Sequence, residues 1–186
     1  KNKQVVLKLK GSDVPYIKLH IDNTFYYDLD KLSKKMFGTN DKKHPGVHRL
    51  FEKGNQFISG KVELINRLPS IYKHYEFTPL ETRNIFENKG WNRIVGFHTR
   101  NIPHRVHEFI QEKAINENFC DGIFIHPVIG PKKTGDFLPE FIINSYNLLI
   151  NEGYLNGKCF LGAFQSYSRY AGPREAIFTA LCRKNF

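Results

Sequence analysis

Ile94-Val95-Gly96-Phe97-His98-Thr99-Arg100-Asn101-Ile102-Pro103-His104-Arg105-Val106-His107 is the stretch on which the fold turns. An apolar run stops at polar residues, a proline follows, and an amphipathic pattern begins. That order predicts a strand, a tight loop and a helix N-terminus. His104 and His107 are expected in the first helical turn, where i,i+3 spacing puts both imidazoles on one face. Unpaired backbone N–H groups and the helix dipole favour an anion at that end. In an open parallel α/β sheet, ligands also bind outside the carboxyl ends of the strands. The stretch therefore points to a nucleoside triphosphate with its phosphates against the two histidines.

Downstream the same alternation repeats. Residues 94–97, 122–129 and 158–164 read as strands, and 104–118, 137–151 and 173–184 as helices, with Val106, Phe109, Ile110 and Ile115 on the apolar side of the first. Strand-helix repeats of this length imply a parallel sheet with right-handed crossovers. The G-x-G-x-x-G fingerprint is absent, so nicotinamide chemistry has no support. Three strands are few for a doubly wound sheet, and the expectation is a domain that continues past residue 186.

Upstream the pattern is β-rich. Val5–Leu9 and Tyr16–His20 read as short strands around the turn Gly11-Ser12-Asp13. A helix follows over residues 28–37 and stops at Gly38. A second begins at His44-Pro45-Gly46-Val47 and reaches about Lys53. His44 and His48 lack a third ligand at a sensible spacing, so a turn and a surface helix account for them. Gln56 to Ile65 reads as a strand, with Gly60 marking a bulge or a close approach. Thr78-Pro79-Leu80-Glu81 has the form of a capping box with proline at the first helical position. The resulting division is a β-rich module over 1–90 and an α/β module over 91–186.

The bulk numbers limit the partners. A net charge of +10 over 186 residues suggests an anionic partner. No apolar run approaches the ~20 residues of a membrane span. Three cysteines, far apart and without a CxxC, read as reduced thiols of a cytoplasmic protein. The positive charge is spread out and shows no aromatic-basic interleaving, which disfavours nucleic acid. The chain begins without Met, which suggests part of a longer polypeptide.

Three strand ends are expected to share one rim. They carry His98-Thr99-Arg100-Asn101, then His126-Pro127-Val128-Ile129-Gly130 leading to Lys132, Lys133 and Asp136, and then Arg169-Tyr170-Ala171-Gly172-Pro173-Arg174-Glu175. Arg100, Lys132, Lys133, Arg169 and Arg174 would surround one cleft, as a polyphosphate requires. Each also has a plainer account. Asn101 could be a helix cap, the lysines a solvated loop, the arginines partners of Glu175, and His126 a hydrogen-bonded core histidine. No set of residues here reads as a metal site.

These motifs resemble those of the ATP sulfurylase (sulfate adenylyltransferase) family. Its members carry Gln-Thr-Arg-Asn followed by two histidines three apart; here that reads His98-Thr99-Arg100-Asn101 and His104-Arg105-Val106-His107. The loop His126–Gly130 with Lys133 and Gly135-Asp136 is similar too, as are Arg169–Glu175 and Arg183-Lys184-Asn185-Phe186. Upstream, Gly38-Thr39, His44–Val47 and Thr78–Arg83 match in order, so the resemblance covers about residues 35–186.

The resemblance implies a PUA-like β module and a Rossmann-like nucleotidyltransferase domain, α/β overall. It implies a cytoplasmic enzyme, in which a homo-oligomer is allowed, that lets sulfate attack the α-phosphorus of ATP and releases pyrophosphate, with Mg²⁺ on the nucleotide. By analogy Arg100 would hold sulfate, Thr99 and Asn101 would place ATP, and His104 and His107 would stabilise charge on the leaving pyrophosphate. His98, His126, Lys133, Arg169 and Arg174 would line the substrate site. Two departures stand out. His98 replaces the usual Gln, exchanging a neutral amide for a bulkier, titratable ring. The family's Gly-Arg-Asp-His-Ala motif is absent, so little turnover is expected from this chain alone. The alternatives are a nucleotidyltransferase of the same fold with a different anionic acceptor, and an RNA-binding PUA-like module.

Overall fold

The computed structural model describes residues 3–186 and falls into two units. The first comprises residues up to Ile71 together with Arg169–Gly172; the second comprises Tyr72–Ser168 and Pro173–Phe186. The expected division at 90/91 differs from this one. The reason is the helix α3 (Pro79–Asn88), whose Phe86 packs its ring on Trp91, Phe124 and Phe160 of the second unit.

In the first unit, β1 (Lys3–Lys8), β2 (Pro15–Tyr26) and β3 (Gln56–Leu64) form an antiparallel sheet in that order. β2 is longer than the expected Tyr16–His20, because pairing with β3 carries it past a register shift between Ile21 and Asn23. Gly60 sits opposite that shift. A Cβ there would lie 1.8 Å from the His20 carbonyl oxygen, so only glycine allows the approach. Ladders such as Val5–Leu19–Val62 and Leu7–Ile17–Leu64 put aliphatic side chains on one face, in line with the strand period of two. α1 (Leu29–Phe37) is capped by Asp28 and ended by Gly38 in the left-handed conformation, φ 77°. α2 (Pro45–Glu52) is capped by His44, whose Nδ1 accepts from the N–H groups of Gly46 and Val47 at 3.2 and 3.4 Å. Its Nε2 then donates to the Tyr170 carbonyl at 3.0 Å. Both ring nitrogens are thus used in structure.

The second unit is built on β4 (Ile94–Thr99), β5 (Gly122–Pro127) and β6 (Cys159–Leu161), parallel and in the order β4-β5-β6. The helices are α3, α4 (Arg105–Glu117), α5 (Pro139–Asn151) and α6 (Pro173–Asn185). The capping box of α3 is present: Thr78 Oγ1 accepts from Glu81 N–H at 3.2 Å, and Glu81 Oε2 accepts from Thr78 N–H at 2.6 Å. β5 is buried along its whole length, as a central parallel strand must be. Its side chains alternate between two layers. Ile123 and Ile125 join a core with Ile115, Ile142, Ile143 and Tyr146 of α4 and α5. Phe124 and His126 point the other way, into an aromatic cluster with Phe86, Phe160, Phe164 and Phe186.

Several boundaries shift from the sequence reading. β6 is three residues rather than seven, continued only by an isolated bridge between Val128 and Phe164. α4 begins at Arg105, so His104 is the residue before its first turn, with extended backbone (φ −151°, ψ 169°). The expected apolar side of α4 is corrected more strongly. Ile115 is buried, but Val106, Phe109 and Ile110 are exposed, and the polar Gln111 is turned inward at 1% exposure. Tyr154 Oη donates to Gln111 Oε1 at 3.1 Å, which gives the amide oxygen a partner. Among the described residues, no helix is long and apolar enough to cross a membrane.

Candidate active site

The carboxyl ends of β4 and β5 lie side by side, with His98 paired to His126 and Thr99 to Pro127. Thr99 is buried. Its Oγ1 accepts from Asn101 N–H at 3.1 Å, and its carbonyl accepts from Val128 N–H at 2.8 Å. It shapes the turn out of β4 rather than facing an opening. Asn101 is exposed beyond that turn and does not cap α4, since the cap position belongs to His104.

His104 and His107 share one face, as their spacing predicts. Their rings stack with centroids 3.9 Å apart and planes 26° from parallel. His104 is exposed and makes no capping hydrogen bond; its ring is left to face outward. His107 is half-buried, its ring edge-on to Phe97 at 5.5 Å. Burial holds the His107 pKa below the ordinary histidine value, and the neighbouring His104 adds to this. Burial therefore favours the uncharged form of the His107 ring.

The strand pleat puts His98 on the opposite face of the sheet from Phe97 and Thr99. Gly96, two residues earlier on the same face, packs against Arg183 of α6: a Cβ there would lie 3.4 Å from the Arg183 Cβ. His98 keeps solvent exposure at the rim, yet the surrounding protein lowers its pKa to about 4. Burial is the largest cause, followed by the charge of Arg183; Arg100 and Lys132 act in the same sense, while Glu175 opposes them. His98, Arg100, Lys132, Glu175 and Arg183 are thus electrostatic neighbours.

The loop after β5 is drawn close to the strand. Gly130 has no room for a side chain, since a Cβ would sit 2.0 Å from the Ser166 carbonyl oxygen. Lys132 is folded back, its Nζ donating to the Val128 carbonyl at 2.6 Å, with its pKa lowered mainly by burial. Lys133 is exposed.

His126 departs from its expected substrate-binding place. It is 1% exposed, stacked on Phe124 at 4.3 Å and flanked by Phe164 and Phe186. Burial and then Arg183 push its pKa down to about 3. The ring has no open side, and its role as a core histidine accounts for it. Arg169 falls in the segment grouped with the first unit, its carbonyl facing Gly46. Arg174 is exposed in the first turn of α6. Sequence reasoning brought Glu175 to the rim of His98 but missed Arg183 as its neighbour. Only the closeness of α6 to β4 joins residues so far apart in the chain. Among the described residues, no group of three or more His, Cys, Asp and Glu side chains could hold a metal ion.

An antiparallel β module followed by a parallel α/β unit, with an H-x-x-H pair just past its first strand, defines a two-part α/β protein. A family model described as PUA-like domain matches residues 1–67, and one described as ATP-sulfurylase matches residues 73–186. The chain belongs to the ATP-sulfurylase family. It is 41% identical over 178 residues to a sulfate adenylyltransferase of Pyrococcus abyssi, covering 96% of this chain and 46% of that protein. It is 41% identical over 174 residues to one of Thermococcus onnurineus, covering 94% and 45%. The chain thus spans about half the length of the curated relatives it matches. Among solved structures, a hexameric APS kinase from Thiobacillus denitrificans superposes with a TM-score of 0.72 at 20% identity, over 99% of this chain and 32% of that one. That likeness concerns the fold alone.

Proposed function

We propose that the protein transfers AMP from ATP to sulfate, forming adenylyl sulfate and releasing pyrophosphate. The observation that carries this reading is the stacked His104–His107 pair at the start of α4, with His104 exposed, beside the Thr99–Asn101 turn, in a chain of the ATP-sulfurylase family. The names of the relatives agree with it. A sulfate oxygen forms a bond to the α-phosphorus as the bond to the bridging oxygen of pyrophosphate breaks. Arg100 offers its fork of donors to sulfate. The first-turn N–H groups of α4 and the two imidazoles meet the charge that grows on the departing phosphates. Thr99 contributes by fixing the turn that carries Arg100 and Asn101, while Asn101, Lys133 and Arg174 are exposed and would contact the nucleotide. No covalent nucleophile is required; the catalysis is positioning and electrostatics. Mg²⁺ would enter on the triphosphate and offset phosphate charge there.

One observation favours a second reading, a nucleotidyltransferase of the same fold with another anionic acceptor. His98, where the family carries Gln, stands among Arg100, Lys132, Glu175 and Arg183. Pyrophosphate release from ATP or CTP, measured on the full-length protein with sulfate and a panel of other small oxyanions, separates the two. Release with sulfate that His104→Ala abolishes is the expected result. Release only with another anion selects the second reading. Salt-sensitive RNA binding with no nucleotide turnover under any condition refutes both.

A further inference from the structure

Arg183 is an anomaly of the second unit. It is 9% exposed, and among the described residues no ion pair compensates it. Its guanidinium donates to the His126 carbonyl at 3.0 Å and to the Thr179 carbonyl at 3.3 Å, and lies 4.5 Å from the ring centre of Phe164. Its Nε is buried without a partner. Burial pushes its pKa down to about 10, far above neutrality, so the charge persists. A buried cation held by two carbonyls and one ring face is an expensive way to join a helix to a strand; an apolar side chain of similar volume does that at lower cost. The charge itself needs a reason.

We propose that Arg183 is a positioning residue for the β4–β5 rim: its buried guanidinium fixes the carboxyl end of β5 and supplies the permanent positive charge against which His98 acts as a neutral hydrogen-bonding group. The geometry carries this in two ways. Arg183 grips the backbone of His126, the residue paired with His98 across the parallel ladder. It also packs on Gly96, on the same face of β4 as His98. His98 is faced by Arg183 and Glu175 of α6, by Arg100 after β4, by Lys132 after β5, and by His126 of β5. Three of these neighbours, Arg183, Arg100 and Lys132, are cationic and only Glu175 is acidic. The result is a rim that attracts an anion while its nearest imidazole donates or accepts as a neutral amide would. A ring kept neutral by a fixed charge behind it can stand in for Gln without becoming a competing cation. This rests on the reading of the rim as an anion site, but its test needs no turnover.

The test is a titration of the histidine rings by NMR in the full 186-residue chain, as it is and as Arg183→Met and Arg183→Lys, each checked for folding by its amide spectrum. Arg183→Met should raise the midpoints of His98 and His126 by about one pH unit, the effect of removing a nearby like charge. Arg183→Lys, which keeps the charge and loses the fork, should leave both close to the parent values. Midpoints unchanged in Arg183→Met, or moved equally in both variants, overturn the proposal and leave a structural clamp. If neither variant folds, the parent chain decides. A His98 midpoint below about pH 5 that rises with added salt, as screening of a nearby cation requires, upholds it; a midpoint above about pH 6, or one that salt leaves unmoved, overturns it. Failure of the pyrophosphate assay alone would remove the assigned reaction and leave these titrations intact.

Discussion

Acid should unfold the second unit through His126, and the size of the effect follows from its burial. In the folded chain its pKa is pushed from 6.5 to about 3, so at neutral pH the ring is uncharged in both folded and unfolded chains. Below 6.5 the unfolded chain binds a proton that the folded chain refuses. Stability therefore falls as pH drops from 6.5 towards 3, and the loss levels off below that. At pH 5 the gap to the unfolded value is about 1.5 units; at about 1.4 kcal/mol per unit that is about 2 kcal/mol. For a chain of this size, such a change lowers the melting temperature by about 4–8 °C. The perturbation is His126→Phe, which places a ring without a titratable group among Phe124, Phe164 and Phe186. The assay is urea unfolding at pH 7 and pH 5 for parent and variant. The parent should lose about 2 kcal/mol more than the variant between the two conditions. Equal losses would refute the reasoning, because the buried ring would then contribute nothing to acid sensitivity.

Three further outcomes are expected. Ile142→Ala empties a fully buried position on α5 and should cost about 2–5 kcal/mol in denaturant unfolding, with Ile142→Val costing about 0.5–1.5. Thr78→Ala removes one half of the α3 capping box and should cost about 1 kcal/mol by thermal melting, whereas Thr78→Ser should cost little. Cys159 is buried with its thiol pushed up to about 12, so in native alkylation at pH 8 it should react last, after Cys120 and Cys182; mass spectrometry of peptides taken over time checks the order.

Much of this architecture was written locally. Thr78, Pro79 and Glu81 announce a helix start because the hydrogen bonds that cap it lie within four residues. Gly60 announces a close approach because no other residue permits one. The strand-loop-helix order of residues 94–107 gave the parallel unit and the shared face of His104 and His107, since periods of two and 3.6 are properties of consecutive residues. The candidate site was legible to the same extent: Arg100, Asn101 and the histidine pair follow one another along the chain.

What consecutive residues could not settle is which face each element turns to the core. Val106, Phe109 and Ile110 suggested the inner side of α4, yet Gln111 is inside because Tyr154, 43 positions away, supplies its partner. His126 looked like a rim residue and is enclosed by the rings of Phe124, of Phe164 after β6 and of Phe186 just past α6. Arg183 looked like part of a helix end and is the cation behind His98. Alone, the sequence determined the elements, their order and the parallel sheet, because periodicity and caps are local. Only the tertiary structure decided burial, charge neighbours and the protonation of the histidines, because desolvation and Coulomb terms depend on what long-range packing brings within a few ångströms.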